Sequence, residues 1–349
     1  MRTERYQGVM LHPEEVEVLR LLEEHIGRPI PQVSEMVWHT VGFITEFNRI
    51  TRLGLFGQDL TSLPESLDHL RHLQQLTLGY NQLSSLPKSL GNLVHLKHLD
   101  LWGNRFSSFP ETLVRLVNLE YLSLSSNPFS SLSGNIEQLV NLKELHLWGN
   151  QLASLPEPIS RLANLKILDL SHNQLSSLPE NISHLVNLKA LNLSSNQFSS
   201  LPETVSHLAN LAYLDLSNNQ LSTLHTTIGN LVNLQYLYLK GNQLSSLPES
   251  FFQLSRLQSL DLTDNLFHTA SLADQLCVLW LSRKISDLRG YNPKALFTHP
   301  LVQRLKPESL KRLDTQFCVY CGASEVVSGI IKDTGQERAF CASCENTIS

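Results

Sequence analysis

Residues 73–83 read LQQLTLGYNQL and residues 96–106 read LKHLDLWGNRF. The two stretches align leucine on leucine and asparagine on asparagine at an offset of 23. The same asparagine recurs as Asn81, Asn104, Asn127, Asn150, Asn173, Asn196, Asn219, Asn242 and Asn265, and Gln58 fills the slot one period earlier. Around each runs L-x-x-L-x-L-x-x-N-x-L/F-x-x-L-P-x-x-L-x-x-L, giving ten repeats over about 50–267. A fixed period of this length marks a stacked repeat architecture, in which each unit buries its apolar face only against its neighbours.

The physics of one repeat sets the fold class. Leu76 and Leu78 are two apart, so both point to one side of a short strand. Strands of successive repeats are expected to pair in parallel, about 4.8 Å apart. The later leucines fill the space behind the sheet, and burying each contributes roughly 1.5–3 kcal/mol. The asparagine sits where the chain leaves the strand, and its amide can satisfy buried backbone groups that the turn leaves unpaired. Pro64, Pro87, Pro110, Pro156, Pro179, Pro202 and Pro248 fix φ where the chain turns back. Ser133 and His225 stand in that slot in two repeats, and looser turns are expected there. The expected class is α/β, a curved solenoid whose parallel sheet lines the concave side.

This pattern resembles the leucine-rich repeat family, in its 23-residue Ras-group-like intracellular form. The resemblance covers about three fifths of the chain and rests on the LPxxLxxLxxLxxLxLxxNxL motif. It implies a scaffold fold and suggests a small GTPase or another signalling protein as partner.

Side chains that alternate with the inward leucines are left to face the hollow. LWGN occurs at 101–104 and again at 147–150, which puts Trp102 and Trp148 in one row, two strands and about 10 Å apart. Ser125 lies between them, and a gap between the two rings is expected. Tyr121 lies beside them. Ile167, Ala190, Tyr213, Tyr236 and Tyr238 form a second apolar group, with Asp169 and Asp215 among the acids that frame both. Desolvated aromatic anchors are the usual carriers of binding energy, so Trp102, Tyr121, Trp148, Ile167, Tyr213, Tyr236, Tyr238, Asp169 and Asp215 are the candidate partner-binding residues. His98 and His146 read as exposed polar filler. Lys97, Lys143, Lys166 and Lys189 line the N-terminal margin of the strands.

A solenoid needs its ends covered. PEEVEVLRLLEEHIG (13–27) reads as an amphipathic helix with Val16, Leu19, Leu22 and Ile26 on one face and Gly27 as its stop. A hairpin follows around EFNR (46–49). After the repeats, SLADQLCVLWLSRKISDLRG (271–290) looks helical, with Gly290 closing it, and KPESLKRLD suggests another short helix. Cys277 reads as a small core residue. Cys318, Cys321, Cys341 and Cys344 form two CxxC pairs separated by 19 residues. Four thiolates so arranged suit one structural Zn²⁺ in closed tetrahedral coordination, and the segment resembles a zinc ribbon. SEVVSGIIKDTGQERAF reads as the hairpin that carries one pair to the other. The organisation is therefore an N-terminal cap over 1–49, ten repeats over 50–267, a helical cap over 268–314 and a zinc module over 315–349.

The net charge of −5 argues against bulk nucleic-acid or anionic-membrane binding, and no apolar run reaches membrane-spanning length. Without an apolar leader and with clustered cysteines, a cytoplasmic, reducing location is expected, which leaves the sequons at Asn181 and Asn192 without meaning. No phosphate-binding loop, GxSxG or HExxH is present. The sequence points to a non-catalytic, monomeric scaffold for a protein partner. A ubiquitin-ligase-like adaptor is the alternative, although four clustered cysteines are too few for a RING cross-brace and only Cys277 could form a thioester.

Overall fold

The computed structural model describes residues 3–266 and three strand segments, 287–289, 327–333 and 336–341. They fall into two compact units, Met1–Gln197 and Phe198–Ser349.

The first unit opens with a hairpin, β1 (Glu4–Tyr6) and β2 (Val9–Leu11), closed by Gln7 and Gly8 in the left-handed region. The sequence reading missed it. Helix α1 (Pro13–Ile26) follows and buries Glu15, Val16, Val18, Leu19 and Leu22. Gly27 ends it at φ 75°, a left-handed cap that glycine reaches without strain, as the sequence predicts. A second hairpin, β3 (Val41–Glu46) and β4 (Arg49–Leu55), turns on Phe47 and Asn48, both at positive φ.

From β4 the strands run in parallel: β5 (Gln75–Thr77), β6 (His98–Asp100), β7 (Tyr121–Ser123), β8 (Glu144–His146), β9 (Ile167–Asp169) and β10 (Ala190–Asn192). Each is in register with the next, so one row reads Gln75, His98, Tyr121, Glu144, Ile167, Ala190. In the second unit, β11 (Tyr213–Asp215), β12 (Tyr236–Tyr238), β13 (Ser259–Asp261) and β14 (Asp287–Arg289) pair in the same way. Strand β14 corrects the sequence reading: residues 287–289 extend the sheet and do not end a helix. The rest of the expected C-terminal helices, with Cys277, lies outside the described residues. Strands β15 (Val327–Asp333) and β16 (Gln336–Cys341) form the expected antiparallel hairpin.

Leucine columns fill the space behind each sheet. In one repeat Leu76, Leu78, Leu83, Leu90 and Leu96 are all fully buried. The return side is made of five-residue 3-10 turns such as Glu65–His69 and Lys88–Asn92, and α1 is the only α-helix among the described residues. A 23-residue period leaves room for no longer helix. Proline precedes most of these turns, and the two exceptions overturn the expected looseness. Ser133 holds φ −66° and its hydroxyl accepts from Asn135 N; His225 holds φ −64° and Nδ1 accepts from Thr227 N. A side-chain cap there replaces the ring constraint.

The asparagine column behaves as its chemistry requires. Asn173 Oδ1 accepts from Leu152 N (3.0 Å), while Nδ2 donates to Leu147 O (2.9 Å) and Leu170 O (3.0 Å). Each amide thus ties its own turn to the repeat before it. A second asparagine column went unread: Asn118, Asn141, Asn164 and Asn187 donate to Val94 O, Val117 O, Val140 O and Ala163 O, one period back.

Candidate functional site: the solvent face of the sheet

The residue before each slot position, Gln58 included, adopts a left-handed backbone: in the first unit Gly57, Tyr80, Gly103, Ser126, Gly149 and His172 have φ between 52° and 69°. The residue before that one points to the solvent face. In the first unit a small residue stands beside each large one, as Phe56-Gly57, Gly79-Tyr80, Trp102-Gly103, Trp148-Gly149 and Ser171-His172, while Ser125-Ser126 is small at both positions. The reason is steric. A Cβ on Gly103 would lie 3.3 Å from the Tyr80 ring, one on Gly149 would lie 3.1 Å from Ser126 Oγ, and one on Gly79 would lie 3.3 Å from Phe56. A side chain in one repeat leans over the small residue in the next. This explains LWGN: glycine beside each tryptophan takes the left-handed turn and admits the neighbour's side chain.

At the start of the sheet the rings form a ledge. Phe56 stacks on Tyr80 (centroids 5.8 Å apart) and on Trp102 (6.1 Å). Trp38, from the segment between α1 and β3, stands edge-on to Phe56 at 5.3 Å and to Trp102 at 6.1 Å. Tyr80 and Trp38 are 62% and 59% exposed, so the ledge has an open rim. Trp102 itself is half-buried, and its Nε1 is buried without a partner. The sequence reading did not foresee that the cap's Trp38 packs on Trp102, or that Ser125, between the two tryptophans, is buried. The signal was Trp38, a large aromatic in a segment outside the repeat, whose contact no period can reveal.

Next along the sheet, Tyr121 stacks on His98 at 4.0 Å and 8°, with His146 at 5.1 Å on its other side. Burial, then the charge of His146, pushes the His98 pKa down to about 4. Burial, then the nearby Asp100, pushes Tyr121 up to about 12. Asp100 is raised as well, by burial against the opposing help of Trp102 N–H and Ser123. His98 is therefore neutral at physiological pH and packed, not exposed filler. Thr77, Asp100 and Ser123 are likewise buried and not offered to solvent.

Trp148 is 38% exposed, with His172 edge-on at 6.1 Å. Ile167, half-buried, pairs with Glu144 on one side and Ala190 on the other. Asp169 has a structural task that sequence reasoning missed. Its Oδ1 accepts from Ser171 N (3.0 Å) and Ser171 Oγ (2.7 Å). In the second unit Asp215 Oδ1 accepts from Ser217 N, and Asp261 Oδ1 from Thr263 N and Oγ1. The acidic residue two before a Ser or Thr was the available signal, an Asx-turn pattern. Also in the second unit, Tyr213 lies 6.4 Å from Tyr236 and 5.6 Å from Tyr238. Tyr236 is 37% exposed and Tyr238 half-buried.

A profile described as leucine rich repeat matches residues 140–198, 199–244 and 225–267, and one described as leucine-rich repeat region matches 47–149. Together they span more than half of the chain. It belongs to the leucine-rich repeat family. Several solved leucine-rich repeat structures resemble this one. A plant peptide hormone receptor, RGFR1 in complex with RGF2, is 27% identical with a TM-score of 0.57, over 68% of this chain and 39% of that one. A TDR receptor is 29% identical with a TM-score of 0.59, over 70% and 44%. The TLR13–ssRNA13 complex is 29% identical with a TM-score of 0.57, over 70% and 36%. The match therefore spans less than half the length of each of these structures. A search of curated proteins returned no match.

The four cysteines lie almost wholly outside the described residues. Only Cys341 is placed, at the end of β16 opposite Val327. Among the described residues no group of three metal-binding side chains converges, and no helix is long and apolar enough to cross a membrane.

Proposed function

We propose that this leucine-rich repeat protein is a non-catalytic scaffold that holds a protein or peptide partner on the solvent face of its sheets. The observation that supports this reading most is the exposed aromatic surface. Trp38, Tyr80, Trp148 and Tyr236 are each more than a third exposed on a framework whose leucine columns are already closed. Large aromatics left open on a rigid surface are the usual material of binding hot spots. The acids beside them are tied to backbone N–H groups, which suits shape-holding better than proton transfer. Leucine-rich repeat receptors of similar fold are solved with a peptide such as RGF2, which agrees with a peptide or protein partner here.

The test is affinity capture with the full chain against Trp148→Ala/Tyr236→Ala. The double variant is expected to keep its melting temperature and lose at least about tenfold in partner affinity. Equal capture by both proteins would remove the face from the mechanism.

We also propose that Cys318, Cys321, Cys341 and Cys344 hold one structural zinc in a reducing, cytoplasmic setting. The paired CxxC spacing supports this, as does a hairpin that ends on Cys341. Metal analysis of the purified chain should return about one zinc per chain, and Cys321→Ser with Cys344→Ser should abolish it. Iron, or no metal, would refute the assignment.

A further inference from the structure

We propose that the first unit carries a second docking surface on the flank where the chain enters its strands, and that a ridge of exposed valines edged by lysines there receives an acidic amphipathic helix of a partner. This surface is separate from the solvent face of the sheet and does not rest on its aromatics. Between the 3-10 turns and the strands that follow them run five segments, 92–97, 115–120, 138–143, 161–166 and 184–189. The second and fifth residues of each are buried leucines. The third is left outside: Val94, Val117, Val140 and Val186 are 45% to 54% exposed, and Ala163 is exposed as well. These five stand in one column, because Asn118, Asn141, Asn164 and Asn187 each donate to the carbonyl of the valine or alanine one repeat back. At about 4.8 Å per repeat the column makes an apolar ridge roughly 20 Å long. Single exposed apolar residues are ordinary, whereas a contiguous row marks an interaction surface. The carbonyls along the ridge are already taken, so it has no free backbone edge for an added strand, and side-chain docking is what remains.

Charge and pitch select the occupant. The sixth residues of the segments are Lys97, Glu120, Lys143, Lys166 and Lys189. They form a parallel column, since Lys166 N donates to Lys143 O at 2.7 Å and Lys189 N to Lys166 O at 2.8 Å. The one acid, Glu120, is met from both sides, by Lys143 at 2.5 Å and Lys97 at 3.7 Å. Lys166 and Lys189 are exposed and have no ion pair among the described residues. Arg115 and Arg161 open two of the segments, and Arg161 is paired with Glu137 at 2.5 Å. The five segments thus hold six basic residues and one acid, in a chain whose formal net charge is −5. An apolar ridge with a basic margin is complementary to an apolar stripe with acidic margins. The lysines follow the valines by three residues, at most about 10 Å of chain, a width that a helix roughly 10–12 Å across can cover. A helix also advances about 5.4 Å per turn, close to the step of the ridge, so one apolar side chain per turn meets each valine over three or four turns. A bilayer would also satisfy the lysines, but it is entered by long apolar or aromatic side chains, and the ridge is valine and alanine alone.

The test pans a display library of helix-forming peptides, randomised at their surface positions, on the full chain. Val117→Ser/Val140→Ser and Lys166→Glu/Lys189→Glu serve as parallel baits. All four side chains are exposed, so both variants should melt with the parent. Enriched peptides should repeat an apolar residue every three or four positions with Asp or Glu beside it. Each flank variant should bind them about tenfold more weakly, and affinity should fall as salt is raised. Trp148→Ala/Tyr236→Ala should bind them as the parent does. The proposal is overturned if no peptide is enriched, if the enriched peptides carry no acids, if either flank variant binds them unchanged, or if phosphatidylserine vesicles bind in preference with the same dependence on Lys166 and Lys189. Peptides lost with Trp148 and Tyr236 but kept by the flank variants would place the partner on the sheet, which sinks this inference and leaves the scaffold reading standing.

Discussion

Replacing Asn173 with alanine should lower the stability of the folded chain by about 3–5 kcal/mol, since it strands several buried polar groups at once. Leu152 N–H loses its acceptor, and the carbonyls of Leu147 and Leu170 lose a donor, in a region closed to water. Asn173 also joins consecutive turns, so its loss weakens an interface as well as a repeat. In a stacked array, stability is a sum of repeat and interface contributions, and a weak joint in the middle lets the two sides unfold separately. Urea unfolding followed by circular dichroism is the measurement. Reduced cooperativity with a lower midpoint is expected, and a loss below about 1 kcal/mol would mean that water or backbone rearrangement satisfies those groups. Aspartate at the same position should cost nearly as much, because it supplies an acceptor and no donor.

Removing the Glu15 side chain should be the other severe change. It is fully buried beneath the β3–β4 hairpin, where Oε2 accepts from Ile50 N (3.2 Å) and Oε1 faces Arg49 at 3.4 Å. Glu15→Ala leaves that N–H and part of the Arg49 charge without a partner and should cost about 3 kcal/mol at neutral pH. Glu15→Gln separates the hydrogen bond from the charge. Burial raises the Glu15 pKa above its ordinary 4.5, against the opposing pull of Ile50 N–H and Arg49. A raised carboxylate pKa means that the folded state binds the proton more tightly than the unfolded chain. Below pH 4.5 the group adds no pH-dependent difference. As pH rises from 4.5 through the raised value, the wild type loses stability relative to the glutamine variant. Thermal melts across that window decide the matter, and a wild-type advantage that grew with pH would contradict the assignment.

What was legible in the sequence followed from periodicity and from short-range stop signals. The slot asparagines and paired leucines placed every repeat strand, Gly27 placed the end of α1, and EFNR placed the second hairpin. What escaped reading was of three physical kinds. Trp38 reaches the sheet by a long-range contact from a non-repeating segment, so its cover over Trp102 has no sequence echo. Asp169 and Asp215 looked like free charges because an Asx turn is a local bond hidden inside a face pattern. The hairpin at Gln7-Gly8 was signalled only by one glycine in a short polar stretch. Ser133 and His225 were misread for a different reason: loss of proline was weighed as loss of constraint, without asking what the new side chain could bond.

The interlock between neighbouring left-handed turns has a bearing on how such a surface can change over generations. Because a ring in one repeat rests above a glycine in the next, the lettering of this face is spelled in couplets. A bulky residue introduced at Ser125 would meet Trp102 and Trp148 in the neighbouring repeats and ask for a smaller residue at one of them, while the leucines underneath need no revision. New specificities are therefore reached by paired edits along a row, and drift at single letters is resisted by the residue next door.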